Sequence, residues 1–200
     1  MIFRVFAILN SVIARIKTLF LYKVFFYKIG KKSIIFKPYL ISGSKYIRIG
    51  NNSVIRAGIR MEVVDPQSDV VIDIGNNVNF EQNVHIVGRC SVIIKDNVSI
   101  TGHCSIADIT HPYEDVNNPI RIGDRISKEP SSVFIDSGTM VGFGAHISPG
   151  TFIGKNCVVG ANSVVSGHFP DYCIIAGVPA RIIKSYDFET GKWVNFNKVK

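Results

Sequence analysis

The sequence predicts an all-β chain folded as a parallel β-helix of hexapeptide repeats, with a helical extension at its N-terminus. An aliphatic residue returns every six positions late in the chain, at Ile135, Val141, Ile147, Ile153, Val159 and Val165. Small residues and Gly or Asn pairs lie between them, and such residues form tight backbone corners. A short strand and a corner every six residues build a triangular coil of about eighteen residues, and stacked coils bury each other's apolar faces.

The bulk composition suits one globular domain. Of the 200 residues, 46% are hydrophobic and 19% are charged, which is typical of a folded rather than a disordered chain. The four cysteines are scattered and include no CxxC pair, so we expect neither a disulfide framework nor a zinc cluster. A reducing cytosol is the setting that this cysteine usage favours.

The N-terminal segment, residues 1–29, is apolar, aromatic and basic. Its longest uncharged run, Val5 to Ala14, is ten residues long, whereas a helix that spans a membrane needs about 20. No small-residue cleavage site follows it, so a secretory signal peptide is not expected. Residues 1–61 contain twelve Lys and Arg and no acid, since Glu62 is the first, so the positive charge is concentrated in the N-terminal part of the chain. We expect a helix that either contacts an anionic membrane surface or packs on the β-helix or a neighbouring subunit; no nucleic-acid-binding motif accompanies the charge.

The repeat pattern divides the chain into three parts. Residues 1–48 form the basic, apolar extension, in which the helix is followed by leading strands around Ile34, Ile41 and Ile47. Residues 49–184 form the β-helix, and residues 185–200 form a C-terminal cap over the last coil. The pattern stops in residues 107–133, which predicts a loop protruding from one corner of the coil, a usual location for functional residues.

The hexads and the segment Ile175-Ala-Gly-Val-Pro-Ala-Arg-Ile-Ile-Lys184 closely resemble the hexapeptide-repeat acyltransferases, in their acetyl-CoA-dependent branch. The resemblance is strongest to O-acetyltransferases of bacterial surface-polysaccharide assembly, such as capsule or O-antigen. It implies a left-handed β-helix, a homotrimer with active sites between subunits, acetyl-CoA as co-substrate and a sugar hydroxyl as acceptor. It also implies a cytoplasmic enzyme, and the basic N-terminus would suit the inner face of the cytoplasmic membrane.

The resemblance assigns the general base to His111, in Asp-Ile-Thr-His-Pro-Tyr-Glu, close to the start of the protruding loop. An acceptor hydroxyl must lose its proton as it attacks the thioester, and imidazole suits that task at neutral pH. The remaining histidines are expected to be solvated or to pack against neighbours; they are His85, His103, His146 and His168. The spacing of His85, His103, His111 and His146 does not reproduce the zinc ligands of the γ-class carbonic anhydrases, which share this fold, so we expect no metal.

Family resemblance also suggests positions for the two substrates. Pantetheine would lie along small residues of two hexads and against the ring of Phe143. Many relatives have Trp at the position of Met140, and Phe143 would supply the apolar wall here instead. The predicted cofactor positions are Gly142, Phe143, Ala145, Gly160 and Ala161. Arg181 and Lys184 would bind the nucleotide phosphates. Glu81 aligns with an acceptor-contacting Asn of sugar acetyltransferases, and Asn83 lies two residues further on. Each group also has a purely structural interpretation. Any hexad repeat needs small residues, a basic tail can simply be solvated, and Glu81 and Asn83 can be ordinary corner residues.

Other functions fit parts of the sequence. A small-molecule acetyltransferase could act on serine, a free sugar, an antibiotic or the amine of an amino sugar, although serine acetyltransferases have a larger helical N-terminal domain than 48 residues supply. A trimeric β-helix could also be a non-catalytic scaffold or a membrane-binding module. Acetyl-CoA turnover distinguishes the enzymes from the scaffold, and the chemistry of the acceptor distinguishes the enzymes from one another.

Overall fold

A computed structural model describes residues 2–196, most of which form a parallel coil of short strands. From β1 to β17, each strand pairs in parallel with the strand three places further along the chain, which produces three sheets and a triangular cross-section. The helices, strands and single helical turns lie, in chain order, at α1 (Ile2–Lys17), a π-helical turn (Thr18–Tyr22), α2 (Lys23–Phe25), β1 (Lys28–Ile29), β2 (Ile34–Ile35), β3 (Leu40–Ser42), a 3-10 turn (Ser44–Tyr46), β4 (Ile47–Ile49), β5 (Val54–Ile55), β6 (Arg60–Val63), β7 (Ile72–Ile74), β8 (Asn79–Phe80), β9 (His85–Gly88), β10 (Ser91–Ile94), β11 (Ser99–Ile100), β12 (Ser105–Ala107), a 3-10 turn (Ile122–Asp124), β13 (Ser132–Ile135), β14 (Met140–Val141), β15 (His146–Ile147), β16 (Phe152–Ile153), β17 (Val158–Val159), β18 (Val164–Val165), β19 (His168–Phe169), β20 (Cys173–Gly177), β21 (Ala180–Asp187) and β22 (Lys192–Asn195).

Sheet A contains β1, β4, β7, β10, β13, β16 and β19, sheet B runs from β2 to β20 in the same steps, and sheet C runs from β3 to β18. We name the corners by the sheets that they join: A–B, B–C and C–A. The coil formed by β1 to β3 is the first, and β10 to β12 form the fourth. The parallel β-helix predicted from the hexads is therefore confirmed as an architecture of parallel sheets.

The inward residue of each hexad fills the core, as the six-residue period predicts. The six aliphatic residues from Ile135 to Val165 are at most 1% exposed. The small residues four positions after the first five of them are buried as well; they are Thr139, Ala145, Thr151, Cys157 and Ser163. Thr139 shows how a polar residue is accommodated there, because its hydroxyl donates to the carbonyl of Gly154 at 2.9 Å and so satisfies its hydrogen-bonding capacity. All four cysteines are free, as expected, and burial raises the pKa of Cys157 to about 11.

Asparagine forms many of the corners because it tolerates the left-handed backbone conformation that they require. At the A–B corner, Asn77 and Asn97 have φ values of 54° and 61°. The Asn77 amide donates to the Asn97 side-chain oxygen at 2.8 Å, so neighbouring coils are joined by a ladder of side-chain hydrogen bonds. One residue earlier, the backbone N–H of Asn76 donates to Asp96 at 2.7 Å and lowers the pKa of that carboxyl group.

The predicted interruption leaves the C–A corner after β12, and the register resumes without a slip. Ser132 of β13 pairs with Ser91 of β10, the position that the preceding coil would predict. The loop therefore interrupts the chain but not the stack. The division of the chain at residue 49 stays a prediction, although parallel pairing already begins at Lys28.

The N-terminal segment is helical, as predicted, and it covers the first coil. Ala14 and Thr18 are buried, and Tyr22 packs against the core. The stretch Val5–Phe25 is 21 residues long and is long and apolar enough to cross a membrane by length and composition alone. At the other end, β21 and β22 continue sheet B in antiparallel fashion, so the cap predicted over residues 185–200 contains strands; its last four residues lie outside the described range.

Candidate active site

His111 stands near the start of the loop, exposed, with its ring orientation fixed by a backbone carbonyl. Its Nδ1 lies 2.7 Å from the carbonyl oxygen of Arg125. A carbonyl oxygen only accepts hydrogen bonds, so Nδ1 must hold the proton. In the neutral ring, Nε2 therefore has a free lone pair, which is the state that a general base requires.

The side chain of Arg125 organises the part of the loop that follows His111. Its guanidinium donates four hydrogen bonds to backbone carbonyls within residues 112–120, at 2.7–3.4 Å. The loop has no regular structure beyond one 3-10 turn, so these bonds replace the backbone pairing that a strand or helix would provide. Sequence reasoning did not single out Arg125, because nothing in its local pattern distinguishes it from a solvated base.

Asp108 fixes the point at which the loop leaves the coil. Its carboxylate is 2% exposed and accepts hydrogen bonds from the backbone N–H groups of Arg89, Cys90 and Ser91, at 2.6–2.8 Å. Three charge-assisted bonds hold the residue three positions before His111 against the preceding turn. His111 is consequently attached to the rigid stack through three residues.

A second group of predicted residues forms a column at the B–C corner. The amide nitrogen of Asn83 lies 3.3 Å from Nε2 of His103, and the His103 ring lies 5.1 Å from the ring of Phe143. These three residues come from successive coils, so the proposed acceptor residue Asn83 and the proposed cofactor wall Phe143 belong to one surface. His103 joins them, a role that the expectation of a solvated or packing residue did not include.

Glu81 faces away from that column. Its carboxylate lies 2.9 Å from Nε of Arg56 in an ion pair and accepts a hydrogen bond from the amide of Asn79, also at 2.9 Å. Both carboxylate oxygens therefore have protein partners on the outer side of sheet B. Of the two residues, Asn83 is the better candidate for contacting the acceptor substrate, because its side chain lies on the corner column.

The predicted cofactor residues of two hexads continue the column toward the C-terminus. Gly142 is buried, and a Cβ built on it would lie 2.6 Å from the backbone nitrogen of Ala161, so only glycine permits this close stacking. Phe143 and Ala161 are exposed at the corner, and Gly160 is half-buried. Ala145 is fully buried in the core, so within one chain it offers no surface to a cofactor.

The two predicted phosphate ligands do not share one cleft. Arg181 lines a cleft of about 890 Å³ beside the last coil, together with His168, Phe169 and Phe196. Lys184 pairs with Ile174 across a β-bulge and is not among the residues that line the cleft. Arg181 is exposed, and its guanidinium donates to the carbonyl of Ala180 at 2.8 Å, which leaves other donors free for an anion.

Within one chain, the base and the column lie on different corners. His111 leaves from the C–A corner, whereas Asn83, His103 and Phe143 lie on the B–C corner, with the width of sheet C between them. The five residue steps from His103 to Asp108 cross that sheet, a distance of about 16 Å at the rise of an extended strand. One chain alone therefore does not bring His111 to the column.

Sheet C has two polar pairs on its outer face. His85 Nε2 lies 3.2 Å from Glu62, and Ser105 Oγ lies 2.6 Å from Nδ1 of His146. Burial lowers the pKa of His146, so the ring is neutral near pH 7. Within residues 2–196, no group of three or more His, Cys, Asp or Glu side chains is placed to hold a metal ion.

Comparison with known proteins relates the chain to sugar and polysaccharide acetyltransferases. It is 35% identical to WbbJ of Escherichia coli K12, named as an O-acetyl transferase of lipopolysaccharide biosynthesis, over 80% of this chain and 82% of that protein. It is 30% identical to the galactoside O-acetyltransferase of Lactococcus lactis, over 85% of this chain and 70% of that enzyme. No protein-family model matches the chain.

Solved structures share the fold. AntD, an N-acyltransferase from Bacillus cereus solved as a point mutant with dTDP and coenzyme A, superposes with a TM-score of 0.69 and 24% identity, over 85% of this chain and 89% of that one. The hexapeptide-repeat acetyltransferase VCA0836 from Vibrio cholerae, solved with acetyl coenzyme A, superposes with a TM-score of 0.58 and 20% identity, over 89% and 81%.

Proposed function

The chain belongs to the hexapeptide-repeat acetyltransferases, and we propose from that premise that it transfers the acetyl group of acetyl-CoA to a sugar hydroxyl during the assembly of a bacterial surface polysaccharide. That it is an acyltransferase follows from the family; the acceptor and the residue roles are the proposal. The relation to WbbJ and to a galactoside O-acetyltransferase supports a sugar hydroxyl as the acceptor. The single observation on which the mechanism depends is the hydrogen bond between His111 Nδ1 and the carbonyl of Arg125.

In the proposed reaction His111 acts as general base. Its Nε2 takes the proton of the acceptor hydroxyl while that oxygen attacks the thioester carbonyl, and a tetrahedral intermediate forms. When the C–S bond breaks, the imidazolium returns the proton to the CoA sulfur, and the acetyl ester and free CoA leave. The acetyl group passes directly between the substrates, so no acyl-enzyme is needed.

Acetyl-CoA would lie along the B–C column, with the pantetheine arm against Phe143 and the backbone of Gly142, Gly160 and Ala161. Solved relatives of the same fold contain CoA or acetyl-CoA, which supports this assignment of the cofactor. Arg181, in the cleft beside the last coil, would pair with a nucleotide phosphate. The acceptor would lie between Asn83 and the base.

A homotrimer of left-handed β-helices completes the proposal. It would bring the His111 loop of one subunit to the Asn83–Phe143 column of its neighbour, which is the juxtaposition that one chain lacks. The similarity to hexapeptide-repeat acetyltransferase structures supports the left hand. Cyclic assemblies place the same two different surfaces in contact at each interface.

The test is the release of free thiol from acetyl-CoA with a panel of free sugars, bacterial polysaccharides and amino sugars, for wild type and His111→Ala. We expect one hydroxyl acceptor to drive release and the alanine variant to lose between about 10² and 10⁴-fold in rate, as removal of a general base does. Val116→Ala, on the same loop and highly exposed, is the matched control and should retain full activity.

Three outcomes would contradict the proposal. Release that depends on an amino sugar and not on a hydroxyl acceptor would make the protein an N-acetyltransferase. Full activity of the His111 variant would remove the proposed base. A protein that neither binds nor turns over acetyl-CoA would be a scaffold built on the same fold.

A further inference from the structure

The N-terminal helix has its large apolar side chains on the outside. The face that packs against the first coil consists of small or polar residues and Tyr22, since Ala14 and Thr18 are buried, Ser11 is half-buried and Tyr22 packs against the core. Large apolar side chains on the remaining faces are 41–75% exposed; they are Val5, Phe6, Ile8, Leu9, Val12, Ile13, Ile16, Leu19, Phe20, Leu21, Val24 and Phe25. A helix of a soluble protein normally turns this kind of residue inward, so a patch of this size indicates an interaction surface.

The helix is attached to the coil along its C-terminal half. The backbone N–H of Ile35 donates to the Thr18 hydroxyl at 2.9 Å, and that hydroxyl donates to the carbonyl of Ala14 at 2.7 Å. Phe26, directly after the helix, belongs to the hydrophobic core. The exposed apolar surface therefore has a fixed position at the end of the stack that contains the first coil.

The charge around the apolar surface has one sign. Arg15, Lys17 and Lys23 are exposed on the helix, and Lys31 and Lys32 follow on the first coil. No acid occurs before Glu62, so nothing in this segment neutralises them. A second copy of the same surface would bring like charges together, whereas anionic lipid head groups attract each base by about 1 kcal/mol.

We propose that this surface binds an anionic phospholipid bilayer, with the helix lying along the membrane interface. The apolar side chains would enter the boundary between head groups and acyl chains, and the bases would contact lipid phosphates. A spanning orientation fits less well, because Arg15, Lys17 and Lys23 interrupt the apolar stretch and because the Ala14–Thr18 face is packed on the coil.

This surface lies at the end of the stack opposite Arg181. The loop with His111 leaves the fourth coil, and three coil spacings of about 4.8 Å separate it from the first by about 15 Å. If the proposed function holds, a bound enzyme keeps its base within reach of a glycan attached to a membrane lipid. This consequence rests on the proposed function, but lipid binding itself does not.

Vesicle flotation with the full-length protein tests the proposal, using vesicles of phosphatidylcholine alone and of phosphatidylcholine with 30 mol% phosphatidylglycerol (about the anionic content that attracts polybasic segments). We expect binding to the anionic vesicles, at least about 10-fold weaker binding to the neutral ones, and release by high salt. Leu9→Glu with Phe20→Glu should abolish binding, and Lys17→Glu with Lys23→Glu should weaken it at least about 10-fold.

Matched controls exist on the loop. Val116 is apolar and exposed, as Leu9 and Phe20 are, and Lys128→Glu makes the same change of charge as each single lysine substitution of the test variant. Both Val116→Glu and Lys128→Glu should bind vesicles like the wild type.

No vesicle binding, or unchanged binding of the Leu9 and Phe20 variant, overturns the proposal. Sedimentation that shows a large assembly dissolved by the Leu9 and Phe20 substitutions, without vesicle binding, would instead identify the occupant as a second copy. Resistance to both salt and alkaline carbonate would identify a spanning helix.

These outcomes do not depend on acetyl transfer. Failure of the vesicle assay leaves the thiol-release assay unaffected, and a protein that binds vesicles but does not turn over acetyl-CoA would lose the proposed function alone. The two proposals can therefore fail separately.

Discussion

Arg125 acts on His111 and on the loop around it through two different groups. Its carbonyl oxygen, 2.7 Å from Nδ1, fixes the tautomer of the ring, while its guanidinium holds four carbonyls of residues 112–120. The orientation of the proposed base and the shape of the loop thus depend on one residue. We regard Arg125 as a positioning residue, since it works through His111.

Substitution of Arg125 should impair turnover more than it impairs folding. Arg125→Ala removes the donor that holds the loop carbonyls in place, so His111 would be displaced from its position, and we expect the rate to fall by about 10 to 10²-fold. Arg125→Lys should recover part of that loss, because it restores a cation but not the fork of donors. Initial rates over a range of pH, together with melting temperatures, provide the measurement.

The melting temperature should change little, because the loop lies outside the core. Arg121→Ala is the matched control: Arg121 pairs with Asp124 on the same loop with 81% of its side chain exposed, and its loss should leave the rate unchanged. Equal rates for wild type and Arg125→Ala would show that the loop does not need this residue.

If the site is shared between subunits, two inactive variants should complement each other. His111→Ala lacks the base, and Phe143→Glu places a charge in the proposed cofactor groove. Trimers refolded from an equal mixture would regain about a quarter of the wild-type activity, because each mixed cyclic trimer contains one interface with both surfaces intact. Thiol release after co-refolding measures this.

The corresponding control refolds each variant alone, which should restore nothing. Activity of the mixture that stays at the level of the separate variants would mean that a single chain contains the whole site. It would also remove the argument for the trimer that depends on the two corners.

Gly142→Ala should destabilise the protein even though the added group is small. The new Cβ would meet the backbone nitrogen of Ala161 at 2.6 Å, and backbone cannot move aside within a stack. Overpacking of this kind costs about 1–3 kcal/mol in the free energy of unfolding. Urea denaturation measures the change, and Gly123→Ala, where nothing lies within 4 Å of the added group, should be neutral.

The Ser105–His146 pair predicts a specific dependence of stability on pH. Burial lowers the pKa of His146 in the folded protein, while the unfolded chain titrates near a pKa of about 6.5. The unfolded chain therefore binds more protons between these two values, so the contribution of the neutral ring is present above the unfolded pKa and is lost as the pH falls from there through the lower pKa of the folded protein. Denaturation at pH 8 and pH 5 should show a smaller difference for His146→Gln than for wild type, and NMR titration should place the pKa of folded His146 below that of the unfolded chain. A pKa of folded His146 above that of the unfolded chain would contradict this account.

The period of six residues was enough to predict the coil, since Ile135 and its five successors each had to face inward once strands and corners alternated. It was enough, too, to locate the loop and to place His111 near its start. The partners of His111 could not be predicted, because the contact with Arg125 crosses fourteen residues of irregular chain, where no period restricts the geometry.

The sequence predicted only part of the corner column, for a similar reason. Asn83 and Phe143 were selected by resemblance, but their connection through His103 depends on which residues stack in successive coils, and the long loop hides that register. Glu81 aligns better than Asn83 with the acceptor-contacting Asn of sugar acetyltransferases, but its ion pair with Arg56 holds its carboxylate away from the corner column. The outward orientation of the apolar side chains of the N-terminal helix could not be predicted, because a sequence shows where apolar residues lie around a helix but not which face packs against the protein.

The anchoring of the loop by Asp108 has a practical consequence for engineering. The carboxylate closes the preceding turn by itself, and Ser132 takes up the same alignment with Ser91 that an uninterrupted coil would have. The stack is therefore indifferent to the length and composition of what is inserted between these two points. Loops from relatives with other acceptors could be transplanted between Asp108 and Ser132 as interchangeable cassettes, with the scaffold retained.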